Sequence, residues 1–310
     1  MAAQEGVAIL GVFVADLAFR AGRQPKIGET IVGSGFKMGP GGKGSNQSVA
    51  SARVGAKVTF ISKIGRDAFG EIALKTWKDE GIVARAAQSD KEPTGAAYIF
   101  VNHDTGENAI IVYPGAGGAI SPTDVEAAAD AIRGAKVFVT QLEQPAASAQ
   151  RGLEIARAAG VVTVFNPAPA VPVPDSIYPF CDYIVPNETE AATLTGLSVA
   201  TLGDAKRVGD ALLAKGAKNA LITLGERGVL LHNSKSSIEI PAFQAGPVVE
   251  TTGAGDAFVG GFAAAIARGS DPVEAARFGC AVAGISVTRA GTAPSMPRLA
   301  EVEALLAKGR

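Results

Sequence analysis

Histidine is nearly absent: His103 and His232 are the only two in 310 residues. That excludes a histidine-built zinc site and a serine–histidine triad, and both rings are expected at the surface or in turns. Cysteine is as scarce. Cys181 and Cys280 stand far apart in no CxxC pattern, which reads as two buried, reduced thiols in a cytoplasmic protein. An excess of one charge is missing too: 29 Lys and Arg face 30 Asp and Glu, a net −1. Nothing draws the chain globally to nucleic acid or an anionic membrane, and neither is expected as a partner. The longest apolar stretch, around Phe258 to Ala267, falls short of the roughly 20 residues that span a bilayer. Met1-Ala2-Ala3-Gln4-Glu5 has neither the basic start nor the apolar core of a signal peptide. Apolar surface and glycine, by contrast, are plentiful. Hydrophobic residues make up 47%, glycines number 38 and mean hydropathy is +0.22, so a large core is expected rather than disorder.

Short aliphatic or β-branched runs alternate with helical patterns. The spacing predicts strands at Val7–Val12, Lys57–Ile61, Val137–Val139, Val161–Phe165, Tyr183–Val185 and Ala220–Leu224. Helices are predicted over Lys43–Val54, Phe69–Glu80, Pro122–Ile132, Ala146–Ala159, Glu188–Thr195 and Ala205–Lys215. Continuous apolar strands separated by helices imply an α/β fold, a mostly parallel sheet sandwiched by helices, taken as one domain over residues 1–310. Two regions, about 13–40 and 94–113, break the alternation. In the second, Ala96–Val101 and Ala109–Tyr113 flank an Asp-Thr-Gly turn, which reads as a β-hairpin. The two regions are expected to pair into a small antiparallel β lid over the carboxyl ends of the parallel strands, or to meet another subunit. Pro167 to Pro174 reads as a stiff loop.

The most informative segment is Thr251-Thr252-Gly253-Ala254-Gly255-Asp256, which opens at once into the run Ala257–Ala267. Glycine permits the tight turn, and the free N–H groups and positive end of the helix favour an anion. Asp256 then lies within reach of a proton on an incoming hydroxyl. An anion site beside a base suggests phosphoryl transfer to an alcohol. Taken alone, the segment is equally an ordinary capped helix.

Gly39-Pro40-Gly41-Gly42-Lys43-Gly44-Ser45-Asn46 satisfies GxGxxG. Pro40 sits inside it and Gly11, after the first strand, shows no such pattern, so a dinucleotide reading fails. A Walker A loop fails because Gly44 follows Lys43 where Ser or Thr is needed. What remains is a tight turn into a helix, either without a ligand or letting a small polar one touch the backbone beside Asn46. Asp16 is a solvated strand end or a pair of acceptors for sugar hydroxyls. Asn187-Glu188-Thr189-Glu190 complements a helix dipole or, facing a nucleotide, lets Glu190 order water around Mg²⁺. Thr223-Leu224-Gly225-Glu226-Arg227-Gly228 is a hairpin turn or a surface for a nucleotide.

In their order, these motifs, with Gly41 to Gln47, Asn166-Pro167-Ala168-Pro169 and Thr288-Arg289-Ala290-Gly291-Thr292-Ala293-Pro294-Ser295, make the chain resemble the ribokinase-like sugar kinase family from about Ile9 to Pro297. The resemblance implies that Asp256 takes the proton of the sugar hydroxyl while the N–H groups of Gly253, Ala254 and Gly255 hold the transferring phosphoryl group. It places Asp16, Gly42, Lys43, Asn46 and Glu143 around the sugar, and Asn187, Thr223, Gly225 and Gly228 around ATP. Glu190 would support Mg²⁺ through water. Glu250, Thr252, Ser286, Arg289, Gly291 and Ser295 would hold a monovalent cation, K⁺, mostly by carbonyl oxygens.

Two residues depart from the family pattern. Val14 stands where Asn is usual two positions before Asp16, and Glu250 where Asp is usual. The expectation is an ATP- and Mg²⁺-dependent kinase of a primary hydroxyl, with D-ribose as first substrate and a homodimer joined through the lid. A ketose, sugar acid, sugar phosphate or nucleoside is the alternative; for a nucleoside, Val14 with Phe13 or Phe100 would wall the base. A non-catalytic sensor on the same fold is disfavoured by the intact Gly253 to Asp256.

Overall fold

In the computed structural model, which describes residues 4–309, strand and helix alternate for most of the chain. It opens with β1 (Val7–Leu10), β2 (Val14–Ala21) and β3 (Gly35–Gly41), then α1 (Lys43–Arg53). β4 (Val58–Gly65), α2 (Ala68–Asp79), β5 (Val83–Ser89) and the hairpin β6 (Thr94–Asn102) and β7 (Asn108–Pro114) follow. Next come α3 (Gly115–Gly118), α4 (Pro122–Glu126), α5 (Ala129–Gly134), β8 (Val137–Thr140), α6 (Ala146–Ala158), β9 (Val162–Phe165) and β10 (Tyr183–Ile184). α7 (Glu188–Thr195), α8 (Leu202–Ala214), β11 (Asn219–Thr223), β12 (Val229–Asn233) and β13 (Ser237–Ile240) precede three last helices, α9 (Ala254–Ala267), α10 (Pro272–Ser286) and α11 (Leu299–Ala307).

Nine strands form the main sheet in the order β13-β12-β11-β10-β9-β8-β1-β4-β5. From β11 to β5 every pairing is parallel; β12 and β13 close one edge antiparallel. Both faces are covered, and the period of two in a strand shows why all four residues of β1 are apolar. Val7 and Ile9 join the core on one face, Ala8 and Leu10 the core on the other.

β3, β2, β6 and β7 make the second sheet. Its two outer pairings are antiparallel, and its central pair, β2 with β6, runs parallel. β2 begins directly after the carboxyl end of β1, so the small sheet rises from the end of the main one where α/β folds place ligands.

Three expectations change. The helix expected over Pro122–Ile132 is two short ones: the bond from Ala128 N–H reaches back only to Val125, a tightening that ends α4. His232 is buried rather than at the surface. β12 turns it onto α8, where Nε2 meets Asp210 at 3.0 Å and Nδ1 meets Ser237 Oγ at 2.7 Å, so its polar atoms are satisfied. Phe13, a candidate wall for a nucleoside base, packs edge-on against Trp77 in the core, with ring centroids 5.8 Å apart. Cys181 and Cys280 are both free and buried, and burial pushes the Cys280 thiol up to about 12. No helix among the described residues is long and apolar enough to cross a membrane.

Candidate active site

The site is built where α1 and α9 cross. Gly260 on α9 allows the crossing: a Cβ there would lie 2.6 Å from the Ala50 Cβ and from the Gln47 carbonyl oxygen. Ser51 Oγ donates to the Gly260 carbonyl at 2.9 Å and locks the contact. The first turns of both helices therefore meet. Asn46 Nδ2 donates to Asp256 Oδ2, and Gln47 Nε2 to Asp256 Oδ1, each at 3.0 Å. Gln47 also donates to Asn166 Oδ1 and accepts from Gln141. Burial pushes the Asp256 carboxyl upward; Lys43 and the two amides oppose it.

α9 starts on Gly253, whose φ of 84° is left-handed, and no side chain caps the helix. The N–H groups of Gly253, Gly255 and Asp256 have no protein partner among the described residues. Ala254 differs from expectation: its N–H donates to the Thr251 carbonyl at 3.1 Å inside the turn. Three outward donors at a helix start make an anion site, with Asp256 in place of Ala254 as the third.

Asp16 lies on β2 opposite Gly39 of β3, and a Cβ on Gly41 would strike its carboxylate. Val14 shares its face and is buried with Ala97. Gly42 caps α1 at a φ of 89°. The N–H of Lys43 donates to Glu143 Oε2 at 2.7 Å. Burial raises Asp16 to about 6 and Glu143 to about 7; Asp256 repels both, while Thr292 counters at Asp16 and Lys43 at Glu143. Burial works against the Lys43 charge, but Asp256, Glu143 and Glu190 raise its pKa overall. Three carboxylates and one lysine make this side acidic.

On the other side a cavity of about 140 Å³ is lined by Lys43, Asn187, Glu190, Thr223, Gly255 and Asp256 among others. Asn187 and Glu190 form a reciprocal helix cap: the Asn187 N–H and Nδ2 donate to Glu190, whose N–H donates back. The cap and the cavity lining thus coexist in one residue. Thr223 bridges to Asn187. Gly225 and Gly228 do not line this cavity. Gly225 is open on its Cβ side, whereas a Cβ on Gly228 would meet the Ile240 carbonyl at 2.1 Å, so Gly228 serves the packing of β13.

Among the described residues no group of three His, Cys, Asp or Glu is arranged to hold a metal. Glu190 does line the cavity, and a single carboxylate there is compatible with Mg²⁺ held through water and phosphate oxygens. Around Gly291, Glu250 Oε2 accepts the N–H of Gly291 at 2.8 Å. The hydroxyls of Ser286 and Ser295 are committed to the carbonyls of Ala283 and Thr292, and the Arg289 side chain turns to Glu301. Main-chain oxygens, with that of Thr252, and the Glu250 carboxylate are what these residues can offer, an oxygen set that fits K⁺. A larger cavity, about 550 Å³, opens at the amino-terminal edge of β9 to β11. Its cations are already paired, Arg157 and Lys218 both meeting Asp182 Oδ1, at 2.6 and 2.7 Å.

Known proteins share this arrangement of elements. Residues 4–299 match the family model described as pfkB family carbohydrate kinase. The chain belongs to that family. It is 38% identical to the ribokinase of Staphylococcus aureus over 302 residues, 96% of this chain and 98% of that one. It is 35% identical to a deoxyribokinase of Salmonella typhi over 297 residues, 94% and 96% of the two chains. Among solved structures, Arabidopsis thaliana ribokinase complexed with ribose and ATP superposes with a TM-score of 0.91 at 30% identity, covering 98% of this chain and 99% of that one. As a pfkB family kinase the chain is a phosphotransferase with an alcohol group as acceptor. The carbohydrate kinase site also uses residues that motif reading passed over. Gln47 reaches Asp256 only through the helix crossing, Gln141 stands behind Gln47 from the end of β8, and Thr292, against Gly253, donates to the Pro40 carbonyl at 3.1 Å. Gln47 and Thr292 lay inside quoted motifs; for Gln141, proximity in sequence to Glu143 was the one signal.

Proposed function

We propose that the chain transfers the γ-phosphoryl group of ATP to a primary hydroxyl of a neutral sugar, D-ribose first. The carrying observation is Asp256, a buried carboxylate in the first turn of a helix whose outward N–H groups lack partners. In-line attack forms the sugar oxygen–phosphorus bond as the hydroxyl proton passes to Asp256 and ADP leaves. Gly253 and Gly255, with the Asp256 N–H, meet the charge that grows on the phosphoryl oxygens. Asp16, Gly42, Lys43, Asn46 and Glu143 orient the sugar, and the acidity of that side favours a neutral polyol over a sugar acid or sugar phosphate. Asn187, Thr223 and the Gly225–Gly228 turn receive ATP. Mg²⁺ when bound neutralises phosphate charge, with Glu190 holding its water. Glu250 and the carbonyls of Thr252, Ser286, Arg289, Gly291 and Ser295 would seat K⁺. The working state is a cytoplasmic homodimer joined through the lid.

Replacing Asp256 by Asn is expected to lower kcat by about 10²–10⁴-fold while ATP affinity, read by titration, is kept. A variant with near-parental kcat would refute the base. Val14 favours a second reading, 2-deoxyribose, since a sugar hydroxyl set over a buried valine has no partner. Comparing kcat/KM for the two sugars decides: a deoxyribose preference of about tenfold or more supports this reading, and a ribose preference ends it.

A further inference from the structure

We propose that Gln47, its amide turned by Asn166 and Asp256 and backed by Gln141, is the positioning residue of the base: it holds Oδ1 of Asp256 while Oδ2, beside Asn46, takes the proton of the acceptor hydroxyl. This rests on reading Asp256 as the base. A glutamine amide has a donating and an accepting end, and its orientation is fixed only by neighbours that cannot reverse. One such neighbour is the Val185 carbonyl, which accepts from Asn166 Nδ2 at 2.8 Å and so turns Asn166 Oδ1 towards Gln47. The other is the carboxylate of Asp256, with Oδ1 3.0 Å from Gln47 Nε2. Both neighbours require the NH₂ of Gln47. Its Oε1 must then face Gln141, whose Nε2 donates to it.

The consequence shows one side chain further out. Gln141 Oε1 is buried without a donor, packed against Gly11 and Gly44. An unpaired buried acceptor is costly, and turning Gln141 over would only set acceptor against acceptor at Gln47. The charge of Asp256 therefore dictates the orientation of Gln141 across Gln47, at a cost that a network serving packing alone would shed. Asp256 Oδ2 accepts from Asn46, whose own Oδ1 is buried and unpartnered, so Oδ2 has no orienting relay like the one behind Gln47. With Asn46 assigned to the sugar, Oδ2 is the oxygen beside it and receives the proton when the hydroxyl O–H bond breaks and the O–P bond forms. Gln47 stays on Oδ1 and keeps that carboxylate ionised and aimed. The hydrogen bonds from Asn46 and Gln47 both act to lower the Asp256 pKa against its burial.

The test is the pH dependence of kcat/KM in Gln141→Met and Gln47→Glu, run beside Asp256→Asn. Gln141→Met keeps the bulk and deletes the donor that anchors Gln47 Oε1. Its acid limb is expected to move up by about one pH unit, with activity recovering at high pH and the KM for ATP unchanged. Gln47→Glu is isosteric and still accepts from Gln141, but it sets a carboxylate against Oδ1 and moves the limb further the same way. Acid limbs superimposable on the parent overturn the proposal, and Gln47→Glu decides alone if Gln141→Met does not fold. Near-parental turnover in Asp256→Asn removes the base itself, wherever the limbs lie.

Discussion

Glu143 shows function and stability opposed in one side chain. Burial raises its carboxyl to about 7, with Lys43 pulling the other way. The folded state thus binds this proton more tightly than the unfolded chain, whose value is 4.5. No penalty exists below 4.5, and it builds as pH rises towards 7. Glu143→Gln keeps an acceptor for the Lys43 N–H and removes the charge. It is expected to melt higher than the parent at pH 8, by about 1–3 kcal/mol in stability, and equally below pH 4.5, while its sugar KM rises. Melting curves at the two pH values check the sign; a lower melting point at pH 8 refutes it. Single residues were legible in the sequence where chemistry alone marks them, as with Asp256 beside glycines. Gln47 was not, because successive residues on a helix point about 100° apart, and only a helix crossing over the turn lets Asn46 and Gln47 hold opposite oxygens of one carboxylate.

At the scale of elements, the site is a helix crossing held at both ends of α1. Its start meets Asp256, and its last residue, Arg53, donates to the carbonyls of Pro294 and Met296 at 3.1 and 2.7 Å while pairing with Glu80. The loop beside the anion site is thereby tied to the helix that carries Asn46. Gly260→Ala sets a methyl against α1 and should cost about 1–3 kcal/mol of stability. Because the displacement falls on Asn46 and Gln47, kcat should fall as well, at temperatures where the variant is fully folded. Melting and turnover measured together check this; unchanged kcat would detach the crossing from the chemistry. The buried strands of the main sheet were readable as apolar runs, and the helices between them to within a few residues, except where Pro122–Ile132 splits into α4 and α5. β5 and β13 were not, since exposed positions such as Arg85, Gln88 and Glu239 break their apolar pattern; β12, buried from Val229 to His232, also went unread. α10 and α11 also went unread, lying beyond the last strand of the alternation.

For the whole molecule, the small sheet supplies Asp16 to the site on one side and apolar surface on the other. Phe19, Phe36 and Tyr98 cluster there, with centroids 4.9 and 5.8 Å apart about Phe19, and Phe36 and Ile111 are 59% and 70% exposed. Exposed aromatic and aliphatic side chains on a lid are what a second copy would cover. Phe36→Asp combined with Ile111→Asp is therefore expected to convert a dimer to a monomer in sedimentation experiments; a parent that is already monomeric removes the homodimer.

The residues alone determined the chemistry and the class of fold: ordered glycine motifs, one base at a helix start, and apolar runs that can only be strands covered on both faces. These are local properties, written in stretches of a few residues. Distance along the chain hid the rest. Asn46 and Asp256 lie 210 positions apart, so the amides that grip the base, the burial that lifts Glu143 and the turn that consumes the Ala254 N–H arise only once packing closes that gap. Desolvation and hydrogen bonding depend on neighbours in space, and folding alone supplies those neighbours.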